Sequence, residues 1–242
     1  MGTEFDIFPA KPIQSGVEEA IDTSYKTIAS VEQSDLEFLI PADLDTYLDL
    51  DIKLYVKDKL IKPEGTALYN KDFTAGTYNF SQCSFSLNCT QITQSTKLYI
   101  YRAYVETLLT YGTDAAASHL TNAYWYVDGL EMAQCDQSTA DAAKRNAGFV
   151  DRWDIMKKSK EIELYCQIQA DICNVLLYLL SRVWLQIKFT KGMKSFFLMN
   201  KDKEFKVIFK FLDAHLCVKP IRPNPSILAA HNETLSMGFS AR

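Results

Sequence analysis

The side chains able to carry chemistry are few and scattered. Three histidines, His119, His215 and His231, form no i, i+4 pair and have no carboxylate at ligand spacing, so they do not spell a zinc site. Asp213 and His215 share one face of an extended segment, and serines are plentiful, which is the raw material of a hydrolytic triad. The GxSxG elbow that would present the nucleophile is missing, however. Asp49 and Asp51 project together, as carboxylates paired for acid–base work must. Lys53 and Lys57 follow on the same face, and that pattern reads as a solvated surface of mixed charge. GxGxxG, the P-loop and HExxH do not occur. No catalytic, cofactor-binding or metal-ligating residue is assigned, no cofactor is expected, and the chain reads as a non-enzyme.

Cysteine and charge point the same way. Cys83, Cys89, Cys135, Cys166, Cys173 and Cys217 include no CxxC and no tight cluster, and they read as small buried thiols rather than a disulfide framework. Lys plus Arg is 26 against 30 Asp plus Glu, a net charge of -4 that disfavours specific nucleic-acid binding. The basic stretches Lys157-Lys158-Ser159-Lys160 and Lys201 to Lys206 are short and read as loop charges, with nucleic-acid contact at an inner surface as the alternative. Sequons begin at Asn79, Asn88 and Asn232, but Met1 to Asp6 shows neither a basic n-region nor an apolar h-region, so they read as chance matches. The longest apolar run, Val175 to Leu180, is far short of the roughly 20 residues that cross a bilayer. The expectation is a soluble protein with no membrane partner, intracellular (cytoplasm or nucleus) and not secreted.

What would position these residues is a set of strands. The 242 residues, 48% hydrophobic and 23% charged, suit one large domain, and 13 Tyr with 14 Phe favour strands over a helical bundle. Leu48, Leu50, Ile52, Leu54 and Val56 alternate with polar residues, as on a strand buried on one face. Ile162, Leu164, Cys166, Ile168, Ala170 and Ile172 do the same, and so do Val183, Leu185, Ile187 and Phe189. Between Phe205 and Val218 the apolar phase moves from odd to even positions, which predicts a bulge near Phe211-Leu212. Shorter strands are predicted at Thr27–Val31, Leu36–Ile40 and Ser81–Leu87. Leu98, Tyr101, Val105 and Leu108 recur at helical spacing, with Thr96 as N-cap and Gly112 as stop. A partly helical segment is predicted within 139–157, and Asn224-Pro225 opens a helix through Leu235. Seven or eight strands with these excursions make a mainly β, antiparallel β-sandwich.

Two strings narrow the reading. Phe80-Ser81-Gln82-Cys83-Ser84-Phe85-Ser86-Leu87-Asn88 and Tyr101-Arg102-Ala103-Tyr104-Val105-Glu106-Thr107-Leu108-Leu109-Thr110-Tyr111-Gly112 together resemble the FSQ…LN and YxAYxETLLxYG signature of the major capsid proteins of Polinton (Maverick) elements and their adintovirus relatives. Ser118-His119-Leu120, Tyr124-Trp125-Tyr126, Lys157 to Lys160, Leu185 to Thr190 and Pro223-Asn224-Pro225-Ser226 follow in the expected order. The resemblance covers roughly residues 17 to 238.

The resemblance implies a jelly-roll sandwich, the first of the two in a double jelly-roll capsid protein. It implies an N-terminal arm over 1–20, the jelly roll over 21–221, and a connecting helix over 222–242 toward a second jelly roll that the chain lacks. It further implies a truncated structural subunit that self-assembles through homotrimers into an icosahedral shell. Its partners would be capsid neighbours and a penton or minor capsid protein, and its place the virion. The alternative reading is a host-repurposed β-sandwich binding module for a protein or carbohydrate ligand. Two positions depart from the family: Asn88-Cys89 stands where Asn-Gly is common at a hairpin, and Leu180-Ser181-Arg182-Val183 lacks the glycine of a turn. The Tyr-rich helix is expected to pack Tyr101 on its own sandwich, its other tyrosines being left open.

Overall fold

The computed structural model describes residues 16–32, 35–62, 73–75, 80–129, 146–193, 198–200 and 207–238. The strands among them are β1 (Val17–Ala20), β2 (Thr23–Lys26), β3 (Asp35–Ile40), β4 (Tyr47–Ile61), β5 (Phe73–Ala75), β6 (Phe80–Leu87), β7 (Thr90–Gln91), β8 (Ile162–Gln167), β9 (Tyr178–Leu179), β10 (Leu185–Lys191), β11 (Leu198–Asn200) and β12 (Ile208–Pro223). The α-helices are α1 (Tyr99–Thr110), α2 (Thr113–Ala116), α3 (Ala147–Met156) and α4 (Pro225–Ser236). One sheet runs β1-β12-β4-β8, with β2 also on β12 and β9 on β4; the other runs β3-β10-β6-β7; β5 and β11 pair separately. Every pairing is antiparallel. This is an antiparallel jelly-roll β-sandwich.

Alternation builds its core. From β4, Leu50, Ile52, Leu54 and Val56 are buried, and they face Phe38, Phe85, Ile187 and Phe189 of the other sheet, the last four with no exposure at all. Phe189 touches Phe38 edge-on at 6.1 Å between centroids and Phe80 at 5.0 Å, while Phe80 reaches Phe211 of the opposite sheet at 6.0 Å. Each such ring contributes roughly 1.5–3 kcal/mol of burial. On β12 the register with β4 slips between Phe211 and Asp213, which is the bulge that the phase change predicts. It turns the strand so that Ala214, Leu216 and Val218 continue inward where Phe211 left off. A second slip, between Cys217 and Lys219, returns the inward phase to Ile221.

The segment Thr27–Val31 is not a strand. The strand lies earlier, at β2 on β12, and Thr27 makes one bridge to Phe38 of β3. The chain is crossing from one sheet to the other there, so neither ladder can hold it. The alternation from Ile162 holds to Ala170 and then breaks. A 3-10 turn at Asp171–Asn174 buries Cys173 and leaves Ile172 only partly covered. Residues 17–20 pair with β12, so the sheet begins before Ile21.

Capping follows the sequence at the last helix, departs from it at α1, and adds at α3 a cap that is not among the expectations from sequence. Asn224 accepts from Ser226 N with Pro225 at the first helical position, and Asn146 caps α3 by accepting from Phe149 N. At α1 the residue before the helix is Leu98, without a side-chain cap, and Thr96 does not serve as one. The thiols also depart: Cys83 and Cys173 are buried, but Cys89 is exposed on the β6–β7 hairpin. Cys135, Asn79 and the stretch 201–206 lie outside the described residues.

Candidate interaction surface

The residues with chemical potential are held apart. Each histidine packs on its own tyrosine: His119 on Tyr111 at 5.4 Å, His215 on Tyr55 at 4.3 Å and His231 on Tyr47 at 5.9 Å. Tyr47 Oη and His231 Nδ1 are also 2.8 Å apart, which ties α4 to the start of β4. Asp213 faces Lys26 at 3.6 Å rather than His215. Asp51 pairs with Lys53 at 3.4 Å, and Lys57 reaches Glu161 at 2.9 Å, so this side of β4 is the solvated surface of mixed charge. Burial pushes the Cys166 thiol up to about 11 and the Cys173 thiol up to about 12, so neither supplies a thiolate at neutral pH. Among the described residues, no group of three His, Cys, Asp or Glu could hold a metal ion.

The feature that stands out is α1. Its buried residues are Ile100, Ala103 and Thr107. Leu98, Tyr101, Val105 and Leu108, the stripe expected to meet the sandwich, are between 50% and 58% exposed. Tyr101 is therefore not a core residue. The helix packs beside β6, with Ile100, Ala103 and Thr107 on its covered side. Leu109 is 83% exposed, so the apolar band continues along the outside.

A polar clamp extends this band. Arg102 donates to both oxygens of Asp171, at 3.0 and 2.5 Å, and its Nε donates to Glu106 at 3.3 Å. Asn174 in turn donates to Glu106 at 2.8 Å. The hydrogen-bonded Arg102 guanidinium holds the Asp171 carboxyl below the usual carboxylate range. This fastens the 3-10 turn to α1, and the chain then leaves as Val175-Leu176-Leu177-Tyr178, in which Leu176 is fully exposed at 103%. Two exposed apolar segments, the outer stripe of α1 and 175–178, thus follow on either side of this clamp; exposed apolar patches of this kind can mark interaction sites. No single residue type announces this; only the coverage of the helix reveals it.

No family model matches the sequence, and no curated protein matches it. Among solved structures, a chain in the 3.5 Å cryo-EM structure of the Sputnik virophage is similar over 92% of this chain, with a TM-score of 0.56 and 10% identity. The match takes in 51% of that chain, so the present chain spans about half its length. The likeness is one of fold.

Proposed function

We propose that the chain is a structural subunit of a viral capsid-like shell, of the Polinton (Maverick) and adintovirus type, with no catalytic role. The observation that carries this is the jelly roll itself, laid over 92% of its length onto half of a chain from a virus particle. A shell subunit works by presenting fixed surfaces that neighbours meet repeatedly. The outer face of α1 and the segment 175–178 supply such a surface. On this reading the chain forms the first jelly roll of a double jelly-roll protein, associates as homotrimers, meets a penton or minor capsid protein, and resides in the virion.

Sedimentation of the purified chain tests it. Trimers or larger bodies that grow with concentration support the proposal; a stable monomer at all concentrations favours the free-standing binding module instead. The mass of the endogenous polypeptide, detected with an antibody against residues 97–112, tests the double jelly roll. A band at about twice the mass of this chain supports it, and a band at the mass of this chain opposes it.

A further inference from the structure

The inner side of α1 carries a different feature. Tyr99, Ala103, Thr107 and Tyr111 follow one another at i, i+4, i+8 and i+12, facing β4 and β8, and the two central members are small. Between them and Leu54, Val56, Leu164 and Ile168 lies a cavity of about 340 Å³. Protein interiors close gaps of this size by packing, and 340 Å³ is within the range of small-molecule sites. The walls are mostly apolar, and His119 and Asn122 stand among the lining residues.

One wall is main chain. Among the described residues β8 is an edge strand, paired with β4 alone. The Ile168 N–H points back to Ile52 O at 3.2 Å, whereas the Glu163 N–H donates away from β4, to Tyr124 Oη at 3.3 Å. In an antiparallel pair this direction alternates residue by residue, so Tyr165 and Gln167 also turn their N–H and C=O away from β4. Both residues line the cavity. Beyond them, the Gln169 N–H donates to Tyr99 Oη at 3.3 Å. Two tyrosine hydroxyls therefore take the edge donors on either side, and the cavity lies along the stretch between them.

We propose that this cavity binds a small amide with an apolar body. The body fills the space under Ala103 and Thr107, and the amide sits along Tyr165 and Gln167. An amide suits this edge because it offers a donor and an acceptor together, as a neighbouring strand would. A carboxylate or an ester satisfies only half of it. The site is independent of whether the chain assembles.

The test uses the full chain and N-benzylhexanamide, with benzyl hexanoate as the matched ester. The expected result is saturable one-to-one binding of the amide, at least tenfold weaker binding of the ester, and slowed hydrogen exchange at the Tyr165 and Gln167 amides with the amide only. Filling the space by Ala103→Leu with Thr107→Leu should abolish binding while the melting temperature stays level or rises. Absence of saturable binding by the native chain overturns the proposal, as does undiminished binding by a folded double variant. If that variant fails to fold, the exchange measurement decides: unchanged exchange at Tyr165 and Gln167 under saturating amide rejects the site.

Discussion

Asp58 on β4 stands opposite Phe211 on β12, at the edge of the bulge, and its carboxyl group is sealed from solvent with no hydrogen-bond partner for either oxygen among the described residues. It occupies the inward phase between Val56 and Leu60, with Ile162 of β8 on its other side. The Tyr124 hydroxyl is the titratable group that feels its charge, while Lys57 and Lys59 belong to the outward phase and are paired with Glu161. Burial raises the carboxyl to about 8.

A folded-state value raised from the usual carboxylate range has a definite sign. The proton stays on in the folded chain and comes off in the unfolded one, so stability is fully present below about pH 4 and is lost as pH rises to about 8. The slope should reach on the order of 1 kcal/mol per pH unit within that window. Asp58→Leu removes the group and should stabilise the chain by on the order of 2 kcal/mol at pH 7. Urea denaturation at pH 5, 6, 7 and 8 checks both statements; parallel pH profiles for native and variant chains would sink them.

The β6–β7 hairpin makes a second prediction. Leu87 pairs with Thr90, so Asn88-Cys89 is a two-residue turn, and both residues have positive φ, 46° and 67°. Asn88 suits this conformation and also accepts from Trp184 N at 3.0 Å, but Cys89 carries a side chain where glycine is favoured. Cys89→Gly should raise stability by about 0.5–1 kcal/mol, the relief of strain outweighing the added freedom of the unfolded chain. A thermal melt reads this directly, and an unchanged or lower midpoint would show that the turn tolerates cysteine without strain.

How much of this was legible depends on what alternation can and cannot say. The bulge in β12 was readable because Phe211 and Ala214 sit in opposite phases with no break between them. Asp58 had its own signal, a charged residue in the apolar phase of β4, which an alternation followed only as far as Val56 passes over. The helix α1 was legible as a helix, but its orientation was not. Hydrophobic periodicity marks a stripe without saying whether the same chain covers it, and at α1 the stripe of Leu98, Tyr101, Val105 and Leu108 is the outward one. The cavity was not legible at all, since it depends on how far Ala103 and Thr107 stand from β4 and β8.

Gly148 supports a third prediction, about the clamp under α3. A Cβ there would lie 2.8 Å from both Tyr126 O and Val127 O. That segment has no freedom to retreat: Arg152 donates to Tyr126 O at 2.9 Å and to Asp128 Oδ1 at 2.5 Å, and the Gly129 N–H donates to Asn146 Oδ1 at 3.0 Å. Gly148→Ala gains helix propensity yet must displace a pinned backbone, and the displacement wins. The expected loss is about 2 kcal/mol, seen as a lower denaturation midpoint with an unchanged slope. A gain in stability would mean that 126–129 yields more easily than its bonds imply.

The outer face of α1 gives the last prediction, and it separates a contact surface from a merely exposed one. Leu108 and Leu109 are 52% and 83% exposed, so charging them removes little burial within the chain. Leu108→Glu with Leu109→Glu should shift stability by only about 0.5 kcal/mol per site. In an assembly the same two positions would be buried against a neighbour, where an unpaired carboxylate is strongly unfavourable. The double variant should therefore sediment as monomer at concentrations where the native chain associates, with its circular dichroism and melting midpoint nearly unchanged. Ile100→Glu, on the covered side of the same helix, should instead unfold the region, because Ile100 is 5% exposed. If the Leu108 and Leu109 variant still associates like the native chain, the outer face of α1 is not where copies meet, and the assembly surface has to be sought elsewhere on the jelly roll.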